Sequence, residues 1–470
     1  MSEQTNSTSQ NQSDDMRLRE KASKISIVEG SAYSVMDGFG LRYVIPYALA
    51  LGFSNVFIGL LSSLPGLIGS ISQIFSSKLV GKYTRKRIIT IFVSFQAFMW
   101  LPLLGVGIIS LVFKLPILIT SILLIAVFTI LVTFSAFVGP AWGSWMKDLV
   151  TRNRDSYFAK RNLITGIIGL MCTFIAGVVL DYFKTFHLLL GFGVIFSIAL
   201  IGRGISAYLF TRKYEPPITK VEGSYFSFVQ FIKKISLNNF GRFVIFSSLI
   251  SFATAVASPF FAVYMLKNLG FSYIDYTFIV VSSIVIGLLS MPLWGKLGDK
   301  YGNITVMRLT SPFIFLIPLL WLITLILLDK IPYLVLPYLI FVEAFSGFIW
   351  SGFSLSTANF IYYAVTPQKM ALCVAYNSVL ISLGAFIGST LGGTLSSYTG
   401  RILWLEPILF IFVLSSVLRL VTVLIMLPKL KEIRDVEKFE YINLKKDIIP
   451  RWMSQLTRDI GAGIKRVGFS

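Results

Sequence analysis

Asp37, Arg42 and Glu343 are ionisable side chains set inside stretches otherwise apolar enough to lie in lipid. A charge near the centre of a bilayer costs about 2.5–3.5 kcal/mol on insertion scales, so a residue of this kind is by default functional. Asp37 stands in "AYSVMDGFGLRYVIPYALA", about 12 residues into its apolar segment, or roughly 18 Å at 1.5 Å per residue. Glu343 stands in "YLIFVEAFSGFIW", about ten residues in from the other side. A carboxylate in apolar surroundings binds its proton more tightly and can exchange it near neutral pH. That is the chemistry of a proton-coupled pathway. Arg42 follows Asp37 by five residues, about 140° around a continuous helix, so it is not expected to face Asp37. It suits either an anionic solute or an acid on another helix. Glu29, nearer the segment's end, reads as wet or paired. Arg203 and Arg419 read as snorkelling or structurally paired.

Other chemistries find no residues to carry them. His187 is the single histidine, and C-x-x-C, H-E-x-x-H, phosphate-loop and G-x-G-x-x-G patterns are missing. The sequence therefore implies no enzyme, no metal site and no cofactor. Cys172 and Cys373 lie far apart within or beside apolar segments and read as buried free thiols.

The elements that must position these residues follow from composition. The chain has 470 residues, 55% hydrophobic and 14% charged, with mean hydropathy +0.77. Soluble domains carry about 25% charged residues. Runs such as "IITIFVSFQAFMWLPLLGVGIISLVF" exceed the roughly 20 apolar residues that cross a bilayer, and they recur along the chain. A β-barrel is excluded, because its strands alternate polar and apolar residues and these runs do not. Twelve spans are expected, near 25–50, 55–80, 88–112, 116–141, 160–181, 187–211, 241–267, 273–297, 304–328, 333–362, 369–397 and 402–428.

The net charge of +20 would suggest nucleic acid in a soluble chain. Here 34 Lys and Arg fall in segments on one side of the spans and only 5 on the other, with Arg42, Arg203 and Arg419 inside spans. The positive-inside rule then makes both termini cytoplasmic and removes nucleic acid as a partner. Residues 1–24 read as a disordered cytoplasmic N-terminus. The polar linker 212–240 divides the spans into bundles 25–211 and 241–428, and its second part, Phe226 to Phe240, reads as a short helix on the membrane surface. The basic tail 429–470 fits an interfacial helix or a disordered tail equally.

The halves repeat. "LGFS" at 51–54 recurs at 269–272, and "KLVGKY" at 78–83 meets "KLGDKY" at 296–301, both at an offset of 218. Thr151, Asn162, Gly169 and Gly177 meet Thr366, Asn377, Gly384 and Gly392 at 215, and Arg203 meets Arg419 at 216. Two parallel six-helix halves form a known transporter architecture. The two loops resemble the major facilitator superfamily motif, roughly G-x-L-x-D-x-x-G-R-K. The copy from Gly295 to Asn303 keeps Gly295, Leu297, Asp299 and Gly302. The copy from Ser77 to Lys86 keeps its basic end, with Arg85 and Lys86, but has Gly81 where the acid belongs. "TRNRDSYFAKRN" (151–162) resembles that superfamily's loop between spans 4 and 5.

The resemblance implies a twelve-helix alternating-access transporter, an all-α membrane protein of two pseudo-symmetric bundles, with a facilitator or a non-transporting receptor or scaffold on the same fold as the alternatives. Its partners would be a small-molecule solute and the lipid bilayer of the cell membrane, and it would act as a monomer. Spans 1, 4, 7 and 10 would line a central cavity and bring Asp37 and Glu343 together. Trp350, Ser354 and Asn359 are possible cavity contacts. Asp299 would latch the inner gate by meeting the N-terminus of span 5, with Arg154 and Arg161 nearby. Gly384, Gly388 and Gly392 would give span 11 a close-packing face.

Overall fold

The computed structural model describes residues 2–80, 82–151, 154–217, 226–437 and 439, with the side chains of 2–14, 77, 78, 80, 154–156, 159, 367, 368 and 371 set aside. The first half contains α1 (Ser2–Phe39), α2 (Val44–Ala50), α3 (Asn55–Val80), α4 (Arg85–Phe98), α5 (Trp100–Val112), α6 (Ile117–Leu149), α7 (Arg154–Lys184) and α8 (Leu188–Arg212). The linker helix α9 is Phe228–Lys234. The second half contains α10 (Asn239–Ala255), α11 (Phe260–Val263), α12 (Tyr273–Tyr301), α13 (Asn303–Ile314), α14 (Leu316–Lys330), α15 (Val335–Ala364), α16 (Pro367–Ser396) and α17 (Pro407–Met426).

Eleven segments among the described residues are long and apolar enough to cross a membrane. Three of them are helix pairs with a local irregularity: α4 with α5, α10 with α11, and α13 with α14. The twelfth is α1 with α2, too polar for that criterion because it carries Glu29, Asp37 and Arg42. This span breaks at Gly40, passes through a 3₁₀ turn at Leu41–Tyr43 and restarts at Val44. Gly40 is pressed against the Trp100 indole, where a Cβ would collide. Pro46 lies in the first turn of α2, where a missing N–H costs nothing.

The described residues form two compact units that do not follow the chain halves. One holds residues 1–223 with 258–277 and 385–399; the other holds 224–257, 278–384 and 400–470. The first unit has a core at its basic end, where Trp145, Ile89, Val93, Met146 and Phe210 are buried. The second has a smaller one, with Trp294, Leu297, Tyr301 and Val306. Truncating a buried aromatic of this size costs about 3–5 kcal/mol.

Two expectations for the ends of the first half change. Residues 1–24, expected to be disordered, continue α1 back to Ser2. The described part docks: Arg19 pairs with Asp15 at 2.6 Å and donates to the Asp148 carbonyl, and the Tyr214 hydroxyl donates to Asp15 at 2.7 Å. Arg19 and the Tyr214 hydroxyl hold the Asp15 carboxyl below the usual carboxylate range. The linker helix is present, shorter than Phe226–Phe240, and starts with a capping box between Ser227 and Gln230. Gly81, and the tail from 440 onward, lie outside the described residues.

Candidate functional site

The break in the first span creates the site's central feature. Arg42 Nη2 lies 3.0 Å from Asp37 Oδ2, and Arg42 Nε donates to the same oxygen at 3.1 Å. The expectation that Arg42 would face away is overturned. It assumed a continuous helix, whereas α1 ends at Phe39 and the backbone turns at Gly40 (φ −110°, ψ −79°), so helical spacing no longer sets the direction of Arg42. The two side chains are 27% and 31% exposed, so the pair is sheltered yet reachable. Tyr33, one turn before Asp37, stacks under the Arg203 guanidinium at 5.0 Å.

Glu29 and Arg203 extend this network. Both are buried, which overturns the wet and snorkelling readings. Arg161 lies 3.6 Å from Glu29, Ser206 donates to Glu29 at 3.1 Å, and Arg203 donates to Gln96 at 2.7 Å and Ser206 at 3.1 Å. Arg161 also covers the Trp142 ring at 4.9 Å. It is an internal counter-ion here rather than a free gate cation.

The second unit holds a matching arrangement. Glu343 on α15 lies near Trp321 and Ser283 and within electrostatic reach of the Arg419 guanidinium. Arg419 is buried and donates to the Ile314 carbonyl at 3.0 Å. Arg203 reaches residue 96 and Arg419 reaches residue 314, the same relation at an offset near 217. Each half therefore buries an arginine on its last helix beside an acid on another: Glu29 in one, Glu343 in the other. On α15, Trp350 meets Phe353 edge-on at 5.6 Å, Ser354 is exposed and Asn359 half-buried.

The basic-end loops form clamps. The first loop, expected to anchor by its cations to lipid or to an acid such as Asp148, does reach Asp148 through Arg85, but the sequence reading missed the glutamates of both clamps. Arg85 is fully buried. Its Nη1 is 2.5 Å from Asp148 Oδ2, its Nε is 3.1 Å from Glu215 Oε1, and its Nη2 donates to the Pro216 carbonyl at 2.6 Å. Glu215 also accepts the backbone N–H groups of Arg85 and Lys86 at 2.9 and 3.2 Å, which caps α4. In the second unit Glu432 accepts the Ile304 N–H at 3.0 Å and so caps α13. Gly302 makes room for it: its φ is +88°, and a Cβ would lie 2.5 Å from Glu432 Oε2. Gly295 has no such constraint, since a Cβ there would meet only Leu355 at 3.8 Å. The signal for both clamps was a glutamate just past each half's last span, "RKYEP" and "PKLKE".

Asp299 is 81% exposed and pairs with Arg434 at 4.0 Å. The Arg154 side chain, offered as its neighbour, lies outside the described residues. Gly384 approaches α10 closely, and Gly393 approaches the backbone of Asn55 and Val56 on α3, where a Cβ would lie 3.0 Å from each. Cys172 and Cys373 are free and buried.

A second acid goes unmarked in the sequence. Asp181, in the last turns of α7, accepts the backbone N–H groups of Tyr273 and Ile274 at 2.8 Å each, on the first turn of α12.

Twelve spans in two repeating halves, each with a buried arginine–acid couple and a capped basic loop, describe one kind of molecule. The sequence matches the family model for the Major Facilitator Superfamily over residues 30–371 and again over 243–459. The chain belongs to the Major Facilitator Superfamily. It is a multi-pass membrane protein with that superfamily's all-α fold. Solved superfamily structures resemble it in fold. A bacterial homologue of the iron transporter ferroportin, in an inward-facing state, matches with a TM-score of 0.66 at 13% identity, covering 88% of this chain and 98% of that one. The nucleoside transporter NupG gives 0.63 at 13%, covering 88% and 99%. A bacterial homologue of the human lysosomal transporter Spinster, inward-facing and unoccupied, gives 0.62 at 13%, covering 87% and 96%. No curated protein matches the chain by sequence.

Proposed function

We propose that this superfamily member is a secondary active transporter that moves a small solute across the cell membrane by alternating access. Both termini are cytoplasmic in this reading, supported by the 34-to-5 distribution of Lys and Arg. It works as a monomer. The observation that carries the proposal is the Asp37–Arg42 pair, about a third exposed at a break in a membrane-spanning helix. A sheltered pair of opposite charges on irregular backbone serves poorly as packing and well as a solute-binding point. Glu343, beside Arg419, Trp321 and Ser283, is the candidate for proton coupling.

A facilitator without coupling is the second reading. It is favoured by Asp37 being already paired, so that its role is binding. Reconstitution into liposomes separates the two. A solute panel is offered with and without an imposed pH gradient, to the protein and to Asp37→Asn and Glu343→Gln. Coupled transport accelerates with the gradient, and Glu343→Gln abolishes that acceleration while leaving exchange. Equal rates with and without the gradient establish the facilitator. No movement of any solute refutes transport.

A further inference from the structure

One face of α7 is built to receive the first turn of α12. Thr173, Gly177 and Asp181 recur every four residues, so they line one side of the helix. At the first position the Tyr43 hydroxyl donates to the Thr173 carbonyl at 2.6 Å and lies 2.8 Å from Thr277 Oγ1. At the second, Gly177 admits Thr277: a Cβ there would lie 2.5 Å from its hydroxyl and 3.2 Å from the Tyr273 carbonyl. At the third, Asp181 takes two backbone N–H groups with its two oxygens.

The first turn of α12 divides its unpaired N–H groups in a telling way. Ser272 and Asp275 form a local box: the Ser272 N–H donates to Asp275 Oδ2 at 3.1 Å, and the Asp275 N–H donates to Ser272 Oγ at 3.1 Å. Only the Tyr273 and Ile274 N–H groups are left for a distant acceptor, and Asp181 supplies it, 92 residues away for Tyr273. The helix start is therefore self-sufficient except for two donors that one carboxylate satisfies. If the contact opened, water would replace it at modest cost, so the bond is suited to breaking and reforming. Residues 273–277 also group with the first unit, whereas α12 from 278 onward groups with the second.

We infer that Asp181 is a gating residue: its carboxylate latches the start of α12 to α7 and holds the end opposite the basic loops closed. The inference rests on the alternating-access reading above, in which that end faces outward. Asp181 touches no solute and acts by positioning α12. Tyr43 and Thr277 are the second half of the latch, and they tie it to the broken first span one residue beyond Arg42.

The test measures the conformational population directly. Spin labels at Phe186→Cys and Tyr398→Cys, both exposed at that end, are introduced into the full chain with Cys172→Ala and Cys373→Ala, in lipid nanodiscs. Electron–electron distance distributions are recorded for this background, Asp181→Ala, Asp181→Asn, Asp181→Glu and Asp275→Ala. A charged acceptor at a helix start favours the capped state by up to about tenfold, so Asp181→Ala should enrich the long-distance population by about five- to tenfold. Asp181→Asn, which keeps one acceptor, should give a smaller enrichment, Asp181→Glu should restore the background, and Asp275→Ala should change nothing. Should Asp181→Ala not be recovered folded, Thr277→Val with the Asp181→Asn arm makes the same prediction. Two populations whose ratio ignores Asp181 overturn the latch and leave alternating access standing. A single population in every variant overturns alternating access itself. An Asp275→Ala shift equal to that of Asp181→Ala overturns the latch in favour of simple helix fraying.

Discussion

Replacing Arg85 by alanine should be among the most damaging single changes in the first half. The side chain is fully buried and bridges two carboxylates, Asp148 and Glu215, while also donating to the Pro216 carbonyl. Removing one member of a buried ionic cluster costs about 3–5 kcal/mol, because its partners keep their charge and lose their compensation. Asp148 and Glu215 are 20% and 15% exposed, so some water reaches them, and about 3–4 kcal/mol is the expected loss. Arg85→Lys should recover about half, since one ammonium cannot span both acids as a guanidinium does. Glu215→Gln should cost about 2 kcal/mol, through one charge-assisted bond and the cap on α4. The assay is equilibrium unfolding in mixed micelles, run as a double-mutant cycle on Arg85→Ala and Glu215→Gln. The two should couple by about 1.5–3 kcal/mol. A loss below about 1 kcal/mol for Arg85→Ala, or additivity within about 0.5 kcal/mol, refutes the clamp.

The other predictions come from the same loops. Asp299→Asn should change unfolding free energy by less than about 0.5 kcal/mol, because a 4.0 Å pair with one partner 81% exposed is screened; a larger loss in the same assay would show a structural role. Gly302→Ala should cost about 1–2 kcal/mol, since φ is +88° and the new methyl would displace Glu432 from the α13 cap; Gly295→Ala, melted alongside it, should be near neutral. Lys213 is buried among Trp145, Phe210 and Met146, with Glu29 and Arg161 as the nearby charges, and burial pushes its ammonium from 10.5 down to about 8. Between those values the unfolded chain holds a proton that the folded one has released, so stability should rise with pH from about 8 to about 10.5, by up to about 3 kcal/mol. Denaturation at pH 7.5 and pH 10 should show that rise, and Lys213→Met should abolish it; an unchanged slope in the variant would assign the rise to another group.

The sequence carried the spans and the internal repeat, because hydropathy and charge are written residue by residue. It placed Arg42 away from Asp37 because angular spacing holds only while a helix continues. The interruption depends on Gly40 fitting beneath Trp100, 60 residues away. For Glu29 and Arg203 depth alone left a wet or snorkelling reading open beside a paired one, and the structure takes the paired one: Arg161 and Ser206 reach Glu29 from α7 and α8, and Gln96 reaches Arg203 from α4. Asp181 escaped notice for the opposite reason. An acid at a span's end is unremarkable in a sequence, and only the arrival of Tyr273 and Ile274 gives it work.

The repeat also explains why its two loops diverged. Thr84 and Gly302, 218 residues apart, are the N-caps of α4 and α13, and Glu215 and Glu432, 217 apart, both reach those helix starts. Asn303 occupies the place of Arg85. It is buried, and its Nδ2 finds no partner among the described residues. The first clamp is therefore closed by a guanidinium between two acids, and the second by a glutamate on a backbone donor, aided by Arg434 on the Gly298 carbonyl. A loop held by a buried arginine can lose its motif acid, as Gly81 replaces it in the first copy. A loop without that arginine has Asp299 still exposed beside its helix, held only by a long pair to Arg434. On this argument Asn303→Ala should cost far less than Arg85→Ala, and installing an acid at Gly81 should do nothing for stability while the arginine clamp is intact.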